Sequence, residues 1–461
     1  MQPFMSRDTI NVKLIRYLDD QLEAVPLGQV AQALSIDRNT VKTHIAELQT
    51  LIQQHFSTTD MTLTFSAQAG VQFQRRATVN LNQIMLLLTD ESLMTKLVKS
   101  TFDGVLHSLG QFNDLNFVSD STAKRHVKDL QSHLALFGLH YSPASHELVG
   151  DEAMVRLCYY RVYWETYSHF EWPFPQYSQT AIIDKIQNWL HARRIHLGKA
   201  AQLQLAYWWV IMTQRQRQGH QIELPQPVLE AQVQDQSIAQ WMAPLAATGQ
   251  EAVFLSYCWA FFCIHQQPVV LKVGQQVQAA SRQTLQKLES LFGKGLNPVA
   301  AETMMTQLNL NHSYSLIFQT GGLILERDTL VQTLKQRRPW LVAELTTLLN
   351  ELQTTGNPAF QNQSYLLVTL VPLVLRYFDT SVLNPTLNIF LALDATSAYR
   401  VWLEKEIMTQ LADQYAVRFV ARRADSELVI SNLDMAVSQP LISINTPPNR
   451  RDWATLKTFR L

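Results

Sequence analysis

The sequence predicts a mainly α-helical, multidomain protein: two winged helix-turn-helix modules at the N-terminus, a long helical body and a small α/β tail. Three observations point to it. A capped helical pattern at Ile36–Leu48 returns at Val118–Leu130, and the stretch from Tyr159 to about Asn384 repeats apolar residues at helical spacing with few strand signals. After Leu387, short β-branched runs alternate with a helix. At 461 residues the chain exceeds one ordinary core, and it divides naturally into domains of about 100 to 150 residues. Hydrophobic residues make up 47% and charged ones 16%, so each part has apolar surface to bury and none looks disordered.

The expected boundaries are 1–76 and 77–158 for the two modules, 159–280 and 281–384 for two helical domains, and 385–461 for the tail. Breaks at Trp172–Pro175, Leu224–Pro227, Leu296–Pro298 and Gly356–Pro358 punctuate the body. The polar segment Gly274–Gln283 marks the division between its halves.

In the first module, Leu27, Val30, Ala31 and Leu34 recur at the spacing of one helix face, and Val41, Ile45 and Leu48 do so on a second helix. Asp37 is placed to cap that second helix, Ala31 gives the small residue needed where the two cross, and Ser35 holds the turn position where glycine is commoner. A recognition helix so placed offers Arg38, Asn39, Lys42 and Thr43 to a major groove. Arg and Asn pair bidentately with guanine and adenine, while Lys and Thr suit phosphates or mixed contacts.

The second module repeats this pattern 82 residues on, VSDSTAKRHVKDL matching IDRNTVKTHIAEL with Thr, Lys, His and Leu coincident and Ser119 as the cap. Its outward face is Ser121, Lys124, Arg125 and Lys128, supported by Leu93, Leu97, Phe102, Val105, Leu106 and Leu109. Wings follow at Met61–Arg75, turning near Gly70, and at Leu139–Val155, with Arg75 and Arg76 placed for phosphates. His44 and His126 coincide too; lacking a second ligand nearby, they read as solvated or phosphate-facing rather than metal-binding.

Lys+Arg and Asp+Glu balance at 38 each, which excludes a protein that coats nucleic acid or anionic membrane through bulk charge. The expected partner is double-stranded DNA, held by locally placed cations. Cys158, Cys258 and Cys263 lie in apolar sequence and read as buried thiols, without zinc spacing. No Walker loop, dinucleotide glycine motif, metal spacing or nucleophile motif is present, so no enzyme, cofactor or metal is expected. The start lacks a secretory signal, and Val253–Ile264 and Tyr365–Leu375 fall short of the roughly 18 to 20 residues of a bilayer span. The expected location is cytoplasmic. In the tail, strands are expected at Leu387–Leu393, Val417–Ala421, Leu428–Ser431 and Leu441–Ile444, and a helix at Ala398–Gln414, forming a parallel sheet.

In this order of parts the chain resembles the Mga/AtxA family of regulators from Gram-positive bacteria. TVKTHIAEL and TAKRHVKDL look like its paired winged helices. Leu205–Ile222 and Glu251–His265 look like helices of a phosphotransferase-system regulation domain (PRD), and the tail is similar to an enzyme IIB component of the sugar phosphotransferase system. The resemblance implies two PRD-like bundles and an enzyme IIB-like tail. It also implies transcriptional activation, a homodimer through the C-terminal and helical domains, and control by histidines phosphorylated by phosphotransferase-system phosphocarrier proteins. PRD phosphoacceptor positions fall near Trp208 and Cys258, leaving His196, His220 and His265 as off-register candidates. The nucleophilic cysteine of an enzyme IIB is replaced by Asp394-Ala395-Thr396-Ser397, where Asp394 is expected to cap the next helix instead. The alternatives are a PRD-containing RNA-binding antiterminator and an interaction protein that does not bind DNA.

Overall fold

The computed structural model describes residues 9–90, 92–167, 170–192, 194–229, 232–233, 249–262, 271–320 and 333–460. They fall into two compact units, Met1–Lys272 with Ile317–Leu323, and Val273–Leu316 with Ile324–Leu461.

In the first unit, α1 (Thr9–Asp19), α2 (Leu27–Leu34) and α3 (Arg38–His55) precede an antiparallel ribbon of β1 (Met61–Ser66) and β2 (Gly70–Arg75). Ala31 and Val41 are buried in one core with Val12, Ile15 and Leu18 of α1 and Leu63 and Phe73 of the ribbon. Gly70 is required where the ribbon turns: its φ is +92°, and a Cβ there would meet the Val25 carbonyl oxygen at 2.3 Å. That close approach lets Val25 and Val71 exchange backbone hydrogen bonds of 2.8 Å.

The second half of the repeat is α4 (Asn82–Asp90), α5 (Leu93–Asp103), α6 (Leu109–Asn116) and α7 (Asp120–Ala135), then a ribbon of β3 (His140–Ser142) and β4 (Glu147–Val149). This ribbon is shorter than the expected Leu139–Val155, because α8 (Glu152–Tyr167) starts inside that range. Leu97, Phe102 and Leu106 are buried as expected. Val105 is 51% exposed, however, because it follows the left-handed Gly104 that ends α5. Residues 158 and 159, the expected domain boundary, both lie inside α8.

The unit continues through α9 (Gln179–Ala192), α10 (Lys199–Arg217), α11 (Gln226–Leu229), β5 (Gln232–Val233), α12 (Gly249–Phe262) and β6 (Leu271–Lys272). Helices α8, α10 and α12 are buried on nearly all sides, and their aromatic rings pack together, Tyr160 stacking on Trp208 at 4.4 Å. Four charges lie inside this core. Arg156 donates to both Glu251 oxygens, at 2.5 and 2.9 Å, and to Glu152 at 2.8 Å; Arg215 donates to Glu152 at 3.0 and 2.8 Å. Burial pushes the Glu152 carboxyl up, but Arg215 and Arg156 outweigh it and hold the group below the usual carboxylate range. Arg156 and Glu251 are both 0% exposed, and an unpaired charge at such a depth would be costly, so these helices need one another. Cys158 and Cys258 are buried cysteines, the Cys158 thiol pushed up to about 12 by burial; Cys263 lies outside the described residues.

The second unit holds α13 (Gln275–Phe292), α14 (Pro298–Ile317), α15 (Pro339–Gln353) and α16 (Gln363–Tyr377). Gly274–Gln283 is therefore mostly helix, Gly274 being the cap of α13, and the division between units falls just before it. The tail follows as β7 (Thr386–Ala392), α17 (Ser397–Leu411), β8 (Ala416–Phe419), β9 (Leu428–Ser431), β10 (Leu441–Ser443) and α18 (Arg450–Thr458). Its four strands are all parallel, in the order β10-β9-β7-β8. Asp394 does not cap α17. The helix starts at Ser397, so the cap is Thr396, whose hydroxyl accepts from the Tyr399 amide, while the Asp394 amide donates to Asn432.

Candidate nucleic-acid interface

The 82-residue repeat of the sequence is kept residue for residue around the two turns. Helix α2 ends at Leu34 and α6 at Asn116, and Ser35 and Phe117 each adopt the left-handed conformation, φ 55° and 54°. Then Asp37 accepts from the Asn39 and Thr40 amides, and Ser119 accepts from the Thr122 amide. Each cap satisfies helix-end donors that the helix itself leaves unpaired. The Thr40 hydroxyl and amide hold the Asp37 carboxyl below the usual carboxylate range.

Arg38, Asn39, Lys42 and Thr43 are all exposed on α3, and Ser121, Lys124, Arg125 and Lys128 on α7. The Arg38 guanidinium lies against Gly28 of α2, where a Cβ would come within 2.8 Å of Nη2. The two faces are not copies. Where α3 starts with Arg38, α7 starts with Asp120, which accepts from Asn113, and Asn113 takes the place of the small Ala31 at the helix crossing. No sequence pattern flags that pair, because it lies across the turn.

His44 and His126 are 5% and 6% exposed, which corrects their reading as solvated or phosphate-facing. The i, i+3 and i, i+4 spacing puts each with the apolar side of its helix, beside Val41, Ile45 and Leu48 in the first case. Arg75 and Arg76 part company. Arg75 donates to both Asp19 oxygens, at 2.6 and 3.1 Å, and to the Val79 carbonyl, so it ties β2 to α1 with Asp19 holding its charge in place. Arg76 is exposed beyond the strand's end.

Among the other candidate residues, His196 is exposed on the connection before α10. His220 Nε2 lies 3.3 Å from Glu147 of β4, and His265 lies outside the described residues. Trp208 and Cys258 are both fully buried. The buried quartet Glu152, Arg156, Arg215 and Glu251 is absent from the sequence reading; the available signal is charged residues inside the apolar stretches EAMVRLCYY and EAVFLSYCW. No group of three His, Cys, Asp or Glu among the described residues could hold a metal ion, and no described helix is long and apolar enough to cross a membrane.

Comparison with known proteins meets this geometry at the second module. Residues 77–163 match the Mga helix-turn-helix domain. The chain is 23% identical over 143 residues to the capsule synthesis positive regulator AcpB of Bacillus anthracis, covering 31% of this chain and 30% of that protein. It is 19% identical over 219 residues to the capsule synthesis positive regulator AcpA of the same organism, covering 48% and 44%. The chain thus spans less than half the length of each of these curated relatives in the matched stretch. The domain match falls on a capped helix with exposed cations, and with these two relatives it makes the chain similar to regulators of the Mga/AtxA type.

Proposed function

We propose that the chain is a cytoplasmic transcription activator that binds double-stranded DNA through α3 and α7. The observation that carries this reading is that both helices, capped in the same way, keep their cationic side chains exposed. Helices of this design sit in the major groove and read base edges with their N-terminal residues. In this reading Arg38, Asn39 and Ser121 face bases, while Lys42, Thr43, Lys124, Arg125, Lys128 and Arg76 hold phosphates. A neutral chain with few cationic contacts binds DNA in a salt-sensitive way and favours deformable sites.

A homodimer presents four such helices, so that the spacing of half-sites contributes to specificity. Its contact through the tail is supported by α17, whose outer side leaves Val401 66% and Met408 49% exposed. Control by phosphocarrier proteins would act at His196 or His220, both reachable from solvent.

Gel-shift titration at two salt concentrations tests the DNA reading. Replacing Lys124 and Arg125 by Ala weakens all duplexes alike and lowers the slope of log K against log salt by about 0.9 for each phosphate that is no longer neutralised. Replacing Arg38 or Asn39 by Ala changes the preference between duplexes by about 1–3 kcal/mol. Unaltered binding in all four variants overturns the assignment.

A further inference from the structure

The connection from α9 to α10 forms a cleft of about 320 Å³ lined by Gln187, Leu190, His191, Arg194, Ile195, His196, Leu197 and Gln202. We propose that it binds a small metabolite through a phosphate monoester. Among the described residues its lining carries two imidazoles, one guanidinium and no carboxylate. The guanidinium fork matches phosphate oxygens, and each imidazole ring offers an N–H donor. The next charge along the chain, Lys199, starts α10 and is exposed. Helix α10 itself begins after Gly198, which has no side chain to cap it, and has no acidic residue in its first turn.

The cleft is held in shape. Helix α9 ends with the Ile195 amide donating to Leu190 at 3.0 Å and the Arg194 amide to His191 at 3.1 Å, which puts Arg194 in the left-handed region at φ 56°. Across the cleft, Gln187 donates to Gln202 at 3.2 Å, and Gln202 to the Leu197 carbonyl at 2.8 Å. Leu190, Ile195 and Leu197 provide an apolar wall beside the cations, which suits an ester with a carbon body better than the bare anion. The volume is at the small end of ligand cavities, roughly 300–1,000 Å³. None of these residues lies on the recognition helices, so the inference does not depend on DNA binding.

The test is calorimetric titration of the full chain near pH 6.5 in physiological salt with glucose 6-phosphate, inorganic phosphate and glucose. Arg194→Gly is the informative variant, because glycine adopts a left-handed φ without cost and the chain keeps its fold while losing the guanidinium. The expected result is one saturable site for the ester, tighter than for inorganic phosphate and absent for glucose. It weakens at least tenfold in R194G and in H196Q, and stays unchanged in K405Q, a charge removed from the exposed surface of α17. No saturable heat with the ester, equal affinity for inorganic phosphate, or binding that survives R194G overturns the proposal. A gel shift on the same samples reads DNA binding separately.

Discussion

The imidazole Nδ1 of His44 lies 2.9 Å from the Asn11 Oδ1, so recognition helix α3 is pinned to α1 from its buried side. The same nitrogen is 3.1 Å from the Glu47 carboxylate, one turn along α3. A side chain chosen for groove contact would point away from the core; this one orients the helix that makes the contacts in the proposed reading. Replacing His44 by Ala leaves the Asn11 group unpaired at depth and is expected to cost about 1–3 kcal/mol of stability. Urea unfolding measures that cost. The salt slope of DNA binding is expected to stay the same, since every phosphate keeps its cation; a flatter slope would mean that His44 reaches the duplex.

Arg75 and Arg76 are neighbours with opposite expected effects. Arg76→Ala lowers the salt slope by about 0.9, while Arg75→Ala leaves the slope unchanged and destabilises the first module by at most about 1 kcal/mol, because the pair with Asp19 is partly exposed. Binding isotherms at several salt concentrations separate the two. Equal slopes for both variants would show that the Asp19 pair opens on DNA.

Phe117 is 96% exposed in a left-handed backbone at the turn before α7. That conformation costs a non-glycine residue about 1–2 kcal/mol, against about 0.5–1 kcal/mol for the entropy glycine loses on folding. Phe117→Gly should therefore raise stability by about 0.5–1 kcal/mol, read as a higher urea midpoint. A lower midpoint would show that the ring has a partner in solution.

Glu165 of α8 has its pKa pushed up to about 7 by burial, which outweighs its pairing with Arg161 at 2.5 Å. The folded chain then holds a proton that the unfolded chain releases near its ordinary value of about 4.3. Stability from this group is complete below that value and is lost as pH rises to about 7. Urea midpoints at pH 5 and pH 8 should differ less in Glu165→Gln than in the native chain, by an amount equivalent to about 2–3 kcal/mol. An unchanged pH dependence in the variant would place the proton elsewhere.

The capped helices α3 and α7 are legible in the sequence because their causes are local. Asp37 and Ser119 cap the helix that follows each within three residues, and an apolar stripe shows in the spacing of residues on one helix. The strands β7 and β9 are legible for the same reason, as are the breaks where Gly70 opens β2 and Pro298 opens α14. Helix α18 is not legible in the sequence, although Asn449 and Asp452 form a capping box at its start, because the helix is short and almost wholly polar.

What the sequence alone determined was where the helices start and stop and which of their side chains are cationic, since backbone donors, caps and periodicity act over a few residues. The tertiary structure decided which of those cations remain free. Arg75 is taken by Asp19, 56 positions away, and Arg156 by Glu251, 95 positions away, whereas Lys124 and Arg125 stay at the surface. An ion pair forms when chain segments distant in sequence pack at one place, and nothing in the local pattern around either partner encodes that meeting.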